Sequence, residues 1–240
     1  DIRSYPVADV LAKEVVYLVD FNIDGWRRGD HFAPTPGLYT RGNQLNVDLN
    51  RQIEKKRTTL RGRTQINLFF ESSTRTRTSF ELAAKRLSAD AVNISISSSS
   101  VSKGETFIDT AKNIEAMNVD AVVIRTFAQE RLHQITEITP KLHVINALSN
   151  EEHPCQALAD MQTLTERWSS LENKRIAFVG DGNNVCTSLV HAAMMLGIHV
   201  HVATPKGFEL PDEVVDQAAE VSQKGAGLTE FTDPKAAVRD

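Results

Sequence analysis

The sequence predicts an α/β fold built on parallel sheets in two domains, on three observations. From residue 65 onward, short apolar runs alternate with longer amphipathic stretches, the pattern of strands joined by crossover helices. The alternation pauses at one long helical stretch, 153–168, and then resumes, which separates a first strand series from a second. The chain has 240 residues, 41% hydrophobic and 24% charged, enough for one large or two small domains.

Taken in order, residues 8–20 read as a helix. Residues 24–44 are rich in glycine and proline and read as a long irregular connection. Residues 48–60 are charged and helical in pattern. Strand 65–70 is followed by helix 76–89, whose Phe80, Ala83, Ala84 and Leu87 share one face. Strand 91–97, a hydroxyl-rich loop 97–103 and helix 104–117 come next, with Phe107, Ile108, Ala111 and Ile114 expected inward. Strand 121–125, helix 129–138 and strand 143–148 complete the first series. Helix 153–168 carries Ala157, Leu158, Met161, Leu164 and Trp168 on its face. The second series is strand 175–180, helix 185–196, strand 199–203, helix 211–224, strand 228–231 and a helix from 233. The domains are set at 1–150 and 151–240, the second expected to be incomplete.

The totals exclude some classes. A net charge of -4 gives no general attraction to nucleic acid or to an anionic membrane, so any phosphate site is a local device. No stretch is long and apolar enough to span a membrane. Two cysteines, Cys155 and Cys186, form no disulfide framework and fit a reducing compartment. The expected location is the cytoplasm, or an organellar matrix if a leader has been removed.

Chemistry concentrates after the first strand. The run Glu71-Ser72-Ser73-Thr74-Arg75-Thr76-Arg77 sets hydroxyls and guanidiniums at a helix start, where free N–H groups and the helix dipole favour an anion. Two arginines in one turn repel unless an anion or carboxylate compensates them. The alternative is an N-cap with surface arginines. The loop carrying Ser100 and Lys103 follows a strand on the ligand-binding edge of an α/β sheet, or is a polar loop capped by Ser102 and Glu105. Arg125 ends an apolar strand on that edge, facing a ligand or a neighbouring carboxylate. His153-Pro154-Cys155-Gln156 opens a helix, with His153 and Gln156 three apart on one face; they could hold a carbonyl and an amide, or be structural. Cys155 has no second ligand at metal spacing, and no metal is expected. Gly180-Asp181-Gly182-Asn183-Asn184-Val185 has the outline of a dinucleotide turn. It lacks the third glycine and the later acidic residue, so NAD is rejected in favour of a small polar ligand held by Asn184.

In this order, these motifs resemble the aspartate/ornithine carbamoyltransferase family. Ser73-Thr74-Arg75-Thr76-Arg77 is similar to its carbamoyl-phosphate signature, and Lys103-Gly104-Glu105-Thr106, Arg125 and His153-Pro154-Cys155-Gln156 follow where the family places them. The likeness runs from about residue 46 to residue 240. Residues 46–120 look like bacterial aspartate carbamoyltransferases, and residues 124–240 look like ornithine carbamoyltransferases.

The resemblance implies two parallel-sheet domains of the carbamoyltransferase type, and attack of an amine on the carbonyl carbon of carbamoyl phosphate. Ser73, Thr74, Arg75 and Thr76 would hold the phosphate. Arg125, His153 and Thr76 would polarise the carbonyl oxygen, Gln156 would fix the carbamoyl amide and Asn184 the amino-acid head. It also implies a homotrimer or a multiple of trimers, with Ser100 and Lys103 entering a neighbour's site, and no cofactor. Aspartate would need an added cation after the Gly-Asp turn, where this chain has Asn183-Asn184-Val185-Cys186-Thr187-Ser188. Ornithine is therefore favoured. The alternatives are an aspartate carbamoyltransferase and a truncated carbamoyl-phosphate-binding fragment without turnover.

Overall fold

A computed structural model of the chain describes residues 56–95, 106–168 and 170–239. The sequence readings at 8–20, 24–44, 48–55 and the loop 97–103 lie outside them. The described residues divide into two compact units, one ending at Ser149 and the other starting at Asn150.

Unit 1 runs β1 (Thr64–Phe69), α1 (Thr74–Arg86), β2 (Asp90–Ser95), α2 (Phe107–Ala116), β3 (Ala121–Arg125), α3 (Gln129–Ile138) and β4 (His143–Leu148). Its sheet is wholly parallel in the order β2-β1-β3-β4. The chain moves outward from β1 to β2, then returns to the other side of β1 for β3. The order therefore reverses between β1 and β3, and the crevice beyond their carboxyl ends is where α/β sheets bind ligands. Both central strands are buried along most of their length, and β3 reads as a near-continuous apolar run while β1 carries Gln65 and Asn67 between its apolar residues. Leu68, Val122, Val123 and Ile124 are essentially inaccessible, and each such burial is worth about 1.5–3 kcal/mol.

Polar residues inside that sheet form a ladder that sets α1 in place. The Gln65 amide donates to Asn67 Oδ1 at 2.8 Å, and Asn67 donates to Asn93 Oδ1 at 2.9 Å across the β1–β2 pair. Asn93 donates in turn to Glu81 Oε2 at 2.8 Å on α1, and Lys85 closes the series on Glu81 Oε1 at 2.5 Å. The fully buried Asn67 is affordable only because its amide is bonded this way. Lys85 first, then Asn93, holds the Glu81 carboxyl below its ordinary range. At the opposite edge, Asp120 accepts from Arg63 Nη1 at 2.7 Å and from the Thr64 amide at 2.8 Å, tying the amino ends of β1 and β3.

Unit 2 runs α4 (Pro154–Arg167), β5 (Arg175–Val179), α5 (Asn184–Met195), β6 (His199–Ala203), α6 (Asp212–Val221), β7 (Leu228–Phe231) and α7 (Pro234–Ala237). Its parallel sheet has the order β5-β6-β7. Ala157 and Met161 of α4 join Cys186, Val190, Ala193, Ile198, Val200 and Val202 in one core. Burial, reinforced by Glu230 and Asp181, pushes the Cys186 thiol up to about 12. Gly182 has a packing reason: a Cβ there would stand 2.7 Å from the Glu209 and Leu210 backbone, and its N–H donates to the Phe208 carbonyl at 2.8 Å.

Several sequence expectations are corrected. Residues 56–58 are not helical, and 59–62 form a turn. Helix α1 starts at Thr74 rather than 76 because Ser73 caps it. Helix α2 starts at Phe107 rather than 104, capped by Thr106, whose hydroxyl accepts from the Asp109 amide; Ser102 and Glu105 lie outside the described residues. Ile108, expected inward, is 40% exposed, since the buried stripe of α2 is Ala111 and Ile114. Helix α6 covers only 212–221.

Two outcomes follow for stability. Asn67→Ala leaves the Gln65 amide only its longer bond to the Phe80 carbonyl, removes the donor to Asn93 Oδ1, and is expected to cost about 1–3 kcal/mol by denaturant unfolding. A carboxyl with a lowered folded pKa stabilises the fold above its unfolded pKa, and this contribution is lost as pH falls through the folded value. Glu81→Gln is therefore expected to flatten the acid limb of the stability profile measured below pH about 5.

Candidate functional site

The hydroxyl and arginine run forms the first turn of α1, at the carboxyl end of β1 and on the switch-point side of unit 1. Ser73 is the N-cap: its Oγ accepts from the Thr76 amide at 3.4 Å, while its hydroxyl donates to Thr76 Oγ1 at 2.9 Å. The first turn carries no acidic residue, so the positive helix end is uncompensated by its own sequence. Thr74 and Arg75 are exposed. Arg77 instead lies over the Phe69 ring, 5.4 Å from its centroid. The turn is a ready anion cradle of amides, hydroxyls and one outward guanidinium.

Arg125 stands beside this turn. Phe69 and Arg125 are register partners, and the Phe70 amide donates to the Arg125 carbonyl at 2.9 Å. A register shift at Ile124/Arg125 against β4 re-aims the end of β3. Arg125 Nε is 3.5 Å from Glu71 Oε2, a loose pairing. Of the two alternatives weighed from sequence, the neighbouring carboxylate is present, and Arg125 stands at the carboxyl edge of the sheet. Behind the cradle, Phe70 packs edge-on against Phe107, with centroids 4.9 Å apart, and Arg131 lies over both rings. Ser100 and Lys103 lie outside the described residues.

Unit 2 holds the other candidates. His153 is the N-cap residue of α4, with no side-chain cap bond, and Pro154 occupies the first turn. Its amide donates to Ser188 Oγ at 2.8 Å. Gln156 is exposed, and its amide donates to Asp160 Oδ1 at 3.0 Å; burial raises the Asp160 carboxyl, and this bond partly offsets it. Burial also pushes the Cys155 thiol up to about 12, so neither cysteine is an activated nucleophile. Asn183 is the N-cap of α5, accepting from the Val185 and Cys186 amides at 3.0 and 3.4 Å. That leaves Asn184, half-buried, to line a cavity.

This cavity, of about 270 Å³, is bounded by Glu151, Glu152 and Glu213, by the amides of Asn150, Asn183, Asn184 and Gln217, and by Thr187, with no lysine or arginine on its wall. The sequence reading identified Asn184 alone. The acidic wall was missed because its residues come from three separate segments, after β4, after β5 and at the start of α6. Among the described residues no group of three or more His, Cys, Asp or Glu could hold a metal ion, and no helix is long and apolar enough to cross a membrane.

With this geometry in place, the comparisons with known proteins fall into line. The family model described as the carbamoyl-P binding domain of aspartate/ornithine carbamoyltransferase matches residues 37–166, and that of the Asp/Orn binding domain matches residues 172–240. The family boundary thus falls after α4, whereas the compact units divide before it, because α4 packs into the core of unit 2. An ornithine carbamoyltransferase of Anoxybacillus flavithermus is 38% identical over 199 residues, 82% of this chain and 63% of the relative. An aspartate carbamoyltransferase catalytic subunit of Gemmatimonas aurantiaca is 44% identical over 189 residues, 78% of this chain and 59% of the relative. The matches thus span about three fifths of these relatives' length. Among solved structures, ornithine carbamoyltransferase from Pyrococcus furiosus aligns with a TM-score of 0.79 at 33% identity, covering 88% of this chain and 67% of that one. Aspartate transcarbamoylase from Trypanosoma cruzi, solved with carbamoyl phosphate and aspartate, aligns at 0.72 and 28%, covering 85% and 65%. The chain belongs to the aspartate/ornithine carbamoyltransferase family.

Proposed function

We propose that this chain moves the carbamoyl group of carbamoyl phosphate to the side-chain amine of ornithine, giving citrulline and phosphate. The observation that carries the choice of ornithine is the acidic cavity beside Asn184. Ornithine carries two ammonium groups and one carboxylate; aspartate carries one ammonium and two carboxylates. A wall of three glutamates and four amides, with no cation, attracts the first and repels the second. One observation favours aspartate as the second reading: identity to aspartate carbamoyltransferases reaches 49%, over a shorter span of 162 residues. That span is weighed against the charge of the cavity, which bears on the second substrate directly.

In this reading the neutral amine attacks the carbamoyl carbon, a C–N bond forms, and the C–O bond to phosphate breaks. The proton lost by the amine passes to the departing phosphate or to water. Ser73, Thr74, Arg75 and Thr76 hold the phosphate, with Arg75 as its main cation. Binding exchanges the Ser73–Thr76 hydroxyl bond for bonds to phosphate oxygens. Arg125, His153 and Thr76 donate to the carbonyl oxygen as charge develops on it. Gln156, its amide held by Asp160, accepts from the carbamoyl NH₂ through its own carbonyl. Asn184 takes the amino-acid head. Ser100 and Lys103 complete the phosphate shell in a homotrimer. Positioning of two substrates can supply up to roughly 7–11 kcal/mol of the acceleration, so no protein nucleophile is required.

Assayed with both amino acids, the protein is expected to form citrulline and no carbamoyl-aspartate, with KM for ornithine rising as salt screens the cavity. Carbamoyl-aspartate as the main product would overturn the choice, and carbamoyl-phosphate binding with neither product would favour a non-catalytic role. His153→Ala is expected to lower kcat by about 10²–10³ with little change in carbamoyl-phosphate KM. Arg75→Ala should act mainly on carbamoyl-phosphate binding, read by calorimetry.

A further inference from the structure

Three polar residues form one stripe at the start of α4. His153, Gln156 and Asp160 are spaced three and then four apart, which sets side chains one above another on a helix face. The last two are joined: Gln156 Nε2 donates to Asp160 Oδ1 at 3.0 Å. Asp160 is half-buried and Gln156 is exposed. Burial raises the Asp160 carboxyl, and the bond from Gln156 works against that rise. The pair is therefore of use to the carboxylate as well as to the amide. A glutamine amide has two unlike ends, an acceptor oxygen and a donor NH₂, and their similar shapes leave the choice between them to the partner. An ionised carboxylate makes that choice, because it only accepts. Asp160 takes the NH₂ end, and Oε1 is left for a partner that donates.

We propose that Asp160 is a positioning residue that fixes the polarity of the Gln156 amide and, through it, which end of the carbamoyl group is accepted there. The inference rests on the reading above that sets Gln156 against the carbamoyl NH₂. A carbamoyl group also has two unlike ends, an NH₂ and a carbonyl oxygen. Gln156 Oε1 accepts from the first and repels the second. With the amide reversed, its NH₂ would draw the carbonyl oxygen instead and compete for it with Arg125, His153 and Thr76. Discrimination of this kind comes from what the wrong pairing repels as much as from what the right one attracts.

The test measures binding to the whole chain by calorimetry, with carbamoyl phosphate, acetyl phosphate and inorganic phosphate as probes. Acetyl phosphate keeps the phosphate and the carbonyl and has a methyl group in place of NH₂, so it has no proton to give Gln156. The parent is expected to bind carbamoyl phosphate about 10-fold more tightly than acetyl phosphate, the worth of about one hydrogen bond. Asp160→Ala should reduce that preference to about twofold, with inorganic phosphate bound no more weakly than by the parent. The ratio cancels the change of charge, which acts on both acyl phosphates alike. Asp160→Glu, which keeps a carboxylate at the same helical spacing, should recover most of the preference. In the Gln156→Ala background, Asp160→Ala should leave the ratio where it is, because the group it acts through is gone. An undiminished preference in Asp160→Ala, no recovery in Asp160→Glu, a further fall without Gln156, or a parallel loss of inorganic phosphate binding would overturn the positioning role. The citrulline assay decides the ornithine reading separately. A parent that shows the preference and forms no citrulline keeps this inference and loses that one. A parent that forms citrulline and binds the two acyl phosphates equally does the reverse.

Discussion

The parallel pairing of β1 with strands on both sides governs the architecture of unit 1. Parallel strands cannot be joined by a short turn, so each one must send its chain back over a face of the sheet. All their carboxyl ends then lie on one edge, and every loop that begins there is a loop on the ligand side. With β1 central, Phe69 and Arg125 stand opposite each other. The start of α1 at Thr74 and the end of β3 at Arg125 become neighbours, although they are far apart along the chain. The anion cradle and the arginine beside it are consequences of that single pairing.

Unit 2 repeats the principle with a different emphasis. Its strand edge also delivers helix starts, but Asn183 consumes the amides at the start of α5 as a cap. What the edge presents is side-chain chemistry: carboxylates and amides around a cavity. The two units therefore offer opposite electrostatics, a cationic helix end in one and an acidic wall in the other.

Much of this was legible in the sequence because buried parallel strands announce themselves as apolar runs, and β1, β3 and β4 do so. The hydroxyl-arginine cluster was legible because its residues are contiguous. Three things were not. Ile108 looks like a core residue by type and by spacing, yet the helix turns it outward, since a stripe of Ala111 and Ile114 suffices against the sheet. The polar ladder through Asn67 and Asn93 depends on strand register, which periodicity leaves open. The acidic cavity joins segments distant in sequence, and no local pattern marks it.

The Ser73–Thr76 hydroxyl bond has a consequence for the start of α1. A hydroxyl has one proton, and Ser73 gives its own to Thr76. Thr74 and Arg75 are exposed and meet solvent directly. In the reading proposed above, an arriving phosphate therefore meets Arg75 and Thr74 first and gains the Ser73 proton only by exchange with Thr76. The bond to Thr76 is the one to which Ser73 returns when the anion leaves.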